Sequence, residues 1–316
     1  MLRRLLMLLM LCCFQVAANA ADQITRLKIA TTVSPITNIV QNVGGAIVDV
    51  KGVVPDGMDS HTFEPLPSDA KLLQEADLII VNGLDLELPT LQLAEKVKKA
   101  QVPILQLGNQ AISHAEWYYD FSFPRELGHP NPHLWLNIEL VMRYVKLIRD
   151  QLAVADPANK ASYARNADIY LGKLNQLDQA IFTCITSIPE KNRKLVTYHD
   201  SFAYFAPRYG MKVIAAIQPH DFSEPGPQEV INIIKQIRSE NVPAIFGSDV
   251  FPSKVMAQIA REAKVKFIDQ LSDDELPPPP NHSFIGMMAN NMMIMTDALG
   301  GDKTCMAEID VSNISF

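Results

Sequence analysis

Residues 156–188 read DPANKASYARNADIYLGKLNQLDQAIFTCITSI. Asp156 and Pro157 supply an N-cap and first-turn proline, and no further proline occurs until Pro189. The apolar positions Tyr163, Ala167, Tyr170, Leu174, Leu177, Ile181, Cys184 and Ile188 advance in alternating steps of four and three. That spacing predicts one continuous helix with a single buried stripe. At about 1.5 Å per residue it forms a rod of about 46 Å, long enough to join two lobes and to resist wide hinge opening.

Both flanks alternate strand-like and helix-like runs. Before the rod come LKIATTV, a helix opened by Ser34 as N-cap and Pro35, VDVKGVV, a helix capped by Ser68, DLIIVNG, LPTLQLAEKVKKA, VPILQL and a helix from Asn137 to Leu152. After it come KLVTYH, KVIAAI, PQEVINIIKQIRSE, PAIFGSD, PSKVMAQIAREAK, VKFIDQL and a last helix within residues 283–299. Such alternation predicts mostly parallel sheets. The expected organisation is an α/β protein: a signal peptide at 1–20, an N-terminal lobe at 21–155, the linking helix at 156–188 and a C-terminal lobe at 189–316. No sequence repeat relates the lobes.

The first 20 residues have Arg3 and Arg4, an unbroken apolar run from Leu5 to Phe14 and a small-residue site at Ala18-Asn19-Ala20. They read as a cleaved secretory signal, too short to span a bilayer. Leu11 before Cys12, and Cys12 before Cys13, do not suit a lipid-modified cysteine, so no lipid anchor is expected. A net charge of −7 leaves no basic patch for nucleic acid. Cys184 and Cys305 are too few for a disulfide framework; Cys184 on the stripe reads first as a buried apolar thiol, with pairing left open.

His61, His133, His199 and Asp269 recur at near-regular intervals beside short strand-like runs. Loops at the carboxyl ends of parallel strands converge, so four such residues could hold one metal between two lobes. Three imidazoles and a carboxylate saturate a tetrahedral ion and leave no position for an activated water, which argues against an enzyme. No HExxH segment is present. Asp273 and Asp274, in a polar SDDE run before PPPP, read as a solvated loop. Glu64 and Asp200 are weighed as supports for the ligand imidazoles, and Met287, Met288, Met292, Met293 and Met295 as core rather than a copper site.

VPDGMDSHTFEPLPSDAKLLQEADLIIVNGLDLE (54–87), NPHLWLN (131–137), VTYHDSFAYFAPRYG (196–210) and VKFIDQLSDDE (265–275) resemble the metal-binding solute receptors of bacterial zinc and manganese ABC importers. The resemblance covers nearly all of the chain after residue 20. It implies two Rossmann-like lobes on one backbone helix, and one divalent metal ion held by His61, His133, His199 and Asp269. It also implies a periplasmic receptor that delivers this ion to a membrane permease driven by an ATPase subunit; a monomer is expected. Many relatives have Asp-Pro-His where this chain has Asn131-Pro132-His133, and zinc receptors often carry a His-rich loop that residues 113–132 lack. Manganese receptors often place a carboxylate where this chain has His199; on ligand softness zinc is favoured, with manganese or iron as the alternative cargo.

Overall fold

A computed structural model describes residues 26–248 and 254–315; the expected signal peptide lies outside them. The first lobe is a four-stranded parallel sheet in the order β2-β1-β3-β4, from β1 (Leu27–Thr31), β2 (Val48–Gly52), β3 (Leu78–Val81) and β4 (Ile104–Gln106). The second is built in the same pattern, β6-β5-β7-β8, from β5 (Lys194–Thr197), β6 (Lys212–Ala216), β7 (Ala244–Ser248) and β8 (Lys266–Leu271). The two halves thus repeat in topology although no repeat is visible in sequence. A fold is specified by hydrophobic pattern and volume more than by residue identity, so equivalent sheets can carry unrelated side chains.

The crossover helices of the first lobe are α1 (Ser34–Gly44), α2 (Pro67–Glu75), α3 (Leu88–Val97) and the short α4 (Leu107–Ala111), followed by α5 (Ile138–Ala155). Asn137 caps α5 as its side chain accepts from Glu139 N at 3.0 Å. Two expected caps are displaced, Ser34 by one residue and Ser68 by two. Ser34 is already helical, with Val33 in the N-cap position, and α2 starts at Pro67 with the Asp69 carboxylate accepting from Leu66 N at 2.6 Å. In both cases a proline with its fixed φ and absent N–H sets the first turn, and the serine does not cap it.

The rod is α6 (Lys160–Ser187), 28 residues after a single turn at Pro157–Asn159, hence about 42 Å long. Every stripe residue from Tyr163 to Ile188 is at most 1% exposed. The stripe joins one hydrophobic core that runs through β1, β3, α1, α5, α7 (Phe205–Tyr209) and α10 (Phe284–Leu299). A separate cluster lies in the second lobe, where Val196, Ile214 and Ile245 meet α8 (Pro227–Ser239) and α9 (Lys254–Ala263). Met287, Met288, Met292 and Met295 are core residues of α10, and Met293 points outward. Cys184 and Cys305 form a disulfide with Cα atoms 5.2 Å apart. This ties the segment after α10 to the rod, a pairing that required a distance the sequence could not supply.

Candidate metal centre

His199 lies two residues past β5, and Ser272 to Asp274 follow directly after β8. His61 and His133 belong to longer loops, the first beyond β2 and the second immediately before the turn Leu134–Leu136. Strand ends from both sheets therefore face one another, and His61, His133, His199 and Asp274 bring one donor atom each to within 4.8 Å of all the others. The Nε2 of His133 is 3.2 Å from that of His61 and 2.8 Å from that of His199. The Asp274 carboxylate lies 3.7 Å from His133 Nε2 and 3.8 Å from His199 Nε2. A tetrahedral ion with metal–ligand bonds near 2.0–2.1 Å sets its ligands about 3.3 Å apart. The observed separations bracket that value.

The expected fourth ligand is not in this cluster. Asp269 is an exposed residue inside β8, which runs on to Leu271, and the carboxylate beside the imidazoles belongs to Asp274. The segment read as solvated is buried: Ser272, Asp273 and Asp274 are 2%, 2% and 4% exposed. Asn291 holds the backbone of Ser272 through its N–H at 3.0 Å and its carbonyl at 2.6 Å. Ser201 and Ser248 donate to the Asp273 carboxylate at 2.7 and 2.8 Å, and the Trp135 indole donates to the Asp273 carbonyl at 2.7 Å. Asp273 thus anchors the turn and Asp274 faces the cluster. The polar run SDDE can be buried because each of its first three residues has an internal partner, a distinction hydropathy cannot make.

Each interior imidazole is oriented by a neutral amide. Asn131 donates its Nδ2 to the Asp200 carbonyl at 2.7 Å, which turns its oxygen toward His133 Nδ1 at 2.7 Å. An amide oxygen can only accept, so His133 Nδ1 carries the proton and Nε2 presents a lone pair. Gln218 Oε1 does the same for His199 Nδ1 at 2.9 Å. The lone pairs of two neighbouring Nε2 atoms then meet, which only a shared proton or a cation can relieve. Of the two supports expected from sequence, Glu64 is exposed, and Asp200 acts through its backbone carbonyl on Asn131. The Asp200 side chain instead accepts from Ser122 N at 2.8 Å and shares a hydrogen bond with Asp120; burial, then the Asp120 charge, raises its pKa.

Burial, then the charge of His199, lowers the pKa of His61; burial and both neighbouring imidazoles lower that of His133. For His199 burial is outweighed by the carboxylates of Asp274 and Asp273, and its pKa rises. Burial pushes the Asp274 carboxyl up to about 7 against the pull of His199. His61 is the partly exposed member, its ring stacked on Phe222 with centroids 4.6 Å apart. Two contacts close the gap between lobes beside the cluster: the Ser60 hydroxyl donates to Asp274 Oδ2 at 3.1 Å, and Gly57 N to Glu275 Oε2 at 2.5 Å.

Paired sheets on a long connecting helix, with a buried His/Asp cluster between the lobes, define a metal-binding receptor. Residues 29–298 match the family described as zinc-uptake complex component A, periplasmic, and the chain belongs to it. The iron-binding protein YfeA of Yersinia pestis is 30% identical over 87% of this chain and 88% of its own length. The manganese ABC transporter substrate-binding lipoprotein PsaA of Streptococcus anginosus is 29% identical over 87% and 89%. Among solved structures, the periplasmic zinc-binding protein TroA of Treponema pallidum superposes with a TM-score of 0.80 at 25% identity, over 87% of this chain and 99% of its own. A manganese-bound periplasmic metal-binding protein of Candidatus Liberibacter asiaticus superposes with a TM-score of 0.76 at 26% identity, over 86% and 98%.

The protein is therefore the metal-binding receptor of an ABC importer, which implies a permease and an ATPase subunit, and it is not an enzyme. Relatives named as lipoproteins stand against the expected absence of a lipid anchor. No helix among the described residues is long and apolar enough to cross a membrane.

Proposed function

We propose that the receptor carries Zn²⁺ as its cargo, bound by His61, His133, His199 and Asp274, and acts as a monomer. The observation that carries this reading is the donor set. Three imidazoles with Nε2 atoms 2.8 and 3.2 Å from one another across His133 meet one carboxylate in a buried cluster. Four donors complete a tetrahedral zinc, and imidazole nitrogen binds Zn²⁺ in preference to Mn²⁺ along the Irving–Williams order. Manganese favours a larger share of oxygen donors, and this cluster has one carboxylate. The names of the relatives are divided among zinc, manganese and iron, so they support a divalent transition metal without choosing among them.

Binding closes the lobes over the ion, as Ser60 and Gly57 of one lobe meet Asp274 and Glu275 of the other. Release at the permease is the reverse step. Competitive titration of metal-free protein with Zn²⁺ and Mn²⁺ tests the choice. A preference for Zn²⁺ of more than about 100-fold is expected from the ligand set; equal affinity, or a preference for Mn²⁺, overturns it.

A further inference from the structure

A cavity of about 340 Å³ opens beside the cluster, and His61 is the cluster residue in its wall. Its lining comes from three further segments: Leu84 to Pro89, running from the loop after β3 into the start of α3, Ser122 to Pro132 before His133, and His220 with Phe222 from the second lobe. The walls are mainly apolar, among them Leu84, Leu86, Phe123 and Phe222. Against them stand Asp85, His129 and His220. Asp85 Oδ2 and His129 Nδ1 are 2.7 Å apart, and both side chains are about half exposed, at 42% and 57%. His133, His199 and Asp274 are nearly inaccessible, so this cavity reaches the cluster through its partly exposed member.

We propose that Asp85 and His129 form a transient capture site for a hydrated divalent cation at the mouth of this cavity, upstream of His61. A carboxylate and an imidazole can replace two waters of the hydrated ion, and the rest of its coordination sphere stays with water. Two protein ligands hold such an ion weakly and let it go. The apolar walls then favour loss of the remaining water only where His61 and the deeper donors can replace it. The pair adds no contact to the final state, so it acts on the rate of loading and on unloading equally.

This proposal rests on the receptor reading above, and its test separates the two. Stopped-flow mixing of metal-free full-length protein with Zn²⁺ is compared for the unmodified chain, Asp85→Asn, His129→Ala and Asp150→Asn. Asp150 is an exposed carboxylate on α5 and controls for the loss of charge alone. The expected result is a fall of about tenfold in association rate for Asp85→Asn and His129→Ala, the lower end of what local charge concentrates at a cleft. Dissociation falls in step, the equilibrium constant stays within about twofold, and Asp150→Asn matches the unmodified chain. Association rates for Asp85→Asn and His129→Ala equal to that of Asp150→Asn overturn the capture site. Absence of tight one-to-one binding in all four proteins would instead overturn the receptor reading.

Discussion

The two lobes share a strand order yet serve the metal centre differently. In the second lobe His199 and Asp274 sit within three residues of strand ends, and the segment bearing Asp274 is clamped by Asn291, Ser201, Ser248 and Trp135. In the first lobe His61 and His133 ride on longer loops, and His61 meets solvent and the Phe222 ring. The second lobe offers a fixed socket, His133 is held by the Asn131 amide, and His61 is the adjustable member. Repeated topology therefore does not mean repeated function: side chains beyond the strands decide which imidazoles are held and which one meets solvent.

The contrast can be broken by removing ligands one at a time. His199→Ala is expected to weaken Zn²⁺ binding by more than the about 10- to 100-fold that a supporting residue is worth. His61→Ala should cost less than His199→Ala, since its loop can admit a water in place of the ring. Titration against a chromophoric chelator measures both, and an equal or larger loss for His61→Ala contradicts the division of labour.

The supporting amides sharpen the same comparison. Gln218→Ala frees one imidazole and should weaken binding by about tenfold. Asn131→Ala should cost more, up to about 100-fold, because Asn131 also crosses to the other lobe at the Asp200 carbonyl. If competition titration ranks them in reverse, the inter-lobe role assigned to Asn131 is wrong.

Protonation acts on the socket. The pKa values of His199 and Asp274 are raised, that of Asp274 to about 7, while the ion requires both groups deprotonated. Affinity should therefore hold above pH 7.5 and fall as the pH drops through 7 toward 6, with protons released on binding. Calorimetry in buffers of different ionisation enthalpy reads that release; pH-independent affinity from 8 to 6 with no proton release contradicts it. The metal-free protein shows the converse for a group in the first lobe. Burial raises the Glu87 carboxyl to about 7 despite hydrogen bonds from Thr32, Asn82 and Gly83. Its contribution to stability is complete below the ordinary carboxyl range and is lost as the pH rises through 7. Glu87→Gln should flatten that decline in urea denaturation; an unchanged pH profile contradicts the assignment.

The smallest effect on binding is expected from the disulfide. Cys305→Ser removes a link across 121 residues and should lower stability by about 2–4 kcal/mol with metal affinity unchanged. A large loss of affinity in that variant would mean that the rod and the segment after α10 set the lobe spacing.

What could be read from the chain beforehand follows from the range of each interaction. The rod was readable because a period of four and three is local, and all eight stripe residues are buried. That His61, His133 and His199 come together in space was readable from strand ends and family motifs. Asp274 was missed because β8 continues two residues past Asp269, and because the partners that bury its segment, Asn291, Ser201, Ser248 and Trp135, come from distant parts of the chain. The roles of Asn131 and Gln218 depend on where their amides point, and the Cys184–Cys305 bond on a separation in space; neither has a signature in spacing.

The most direct test of a metal held by three histidines and Asp274 sets Asp274→Ala beside Asp269→Ala in the same Zn²⁺ titration. Asp274→Ala is predicted to lose more than about 100-fold in affinity, and Asp269→Ala to bind as the unmodified protein does. Loss of affinity in Asp269→Ala with binding retained in Asp274→Ala would contradict the account.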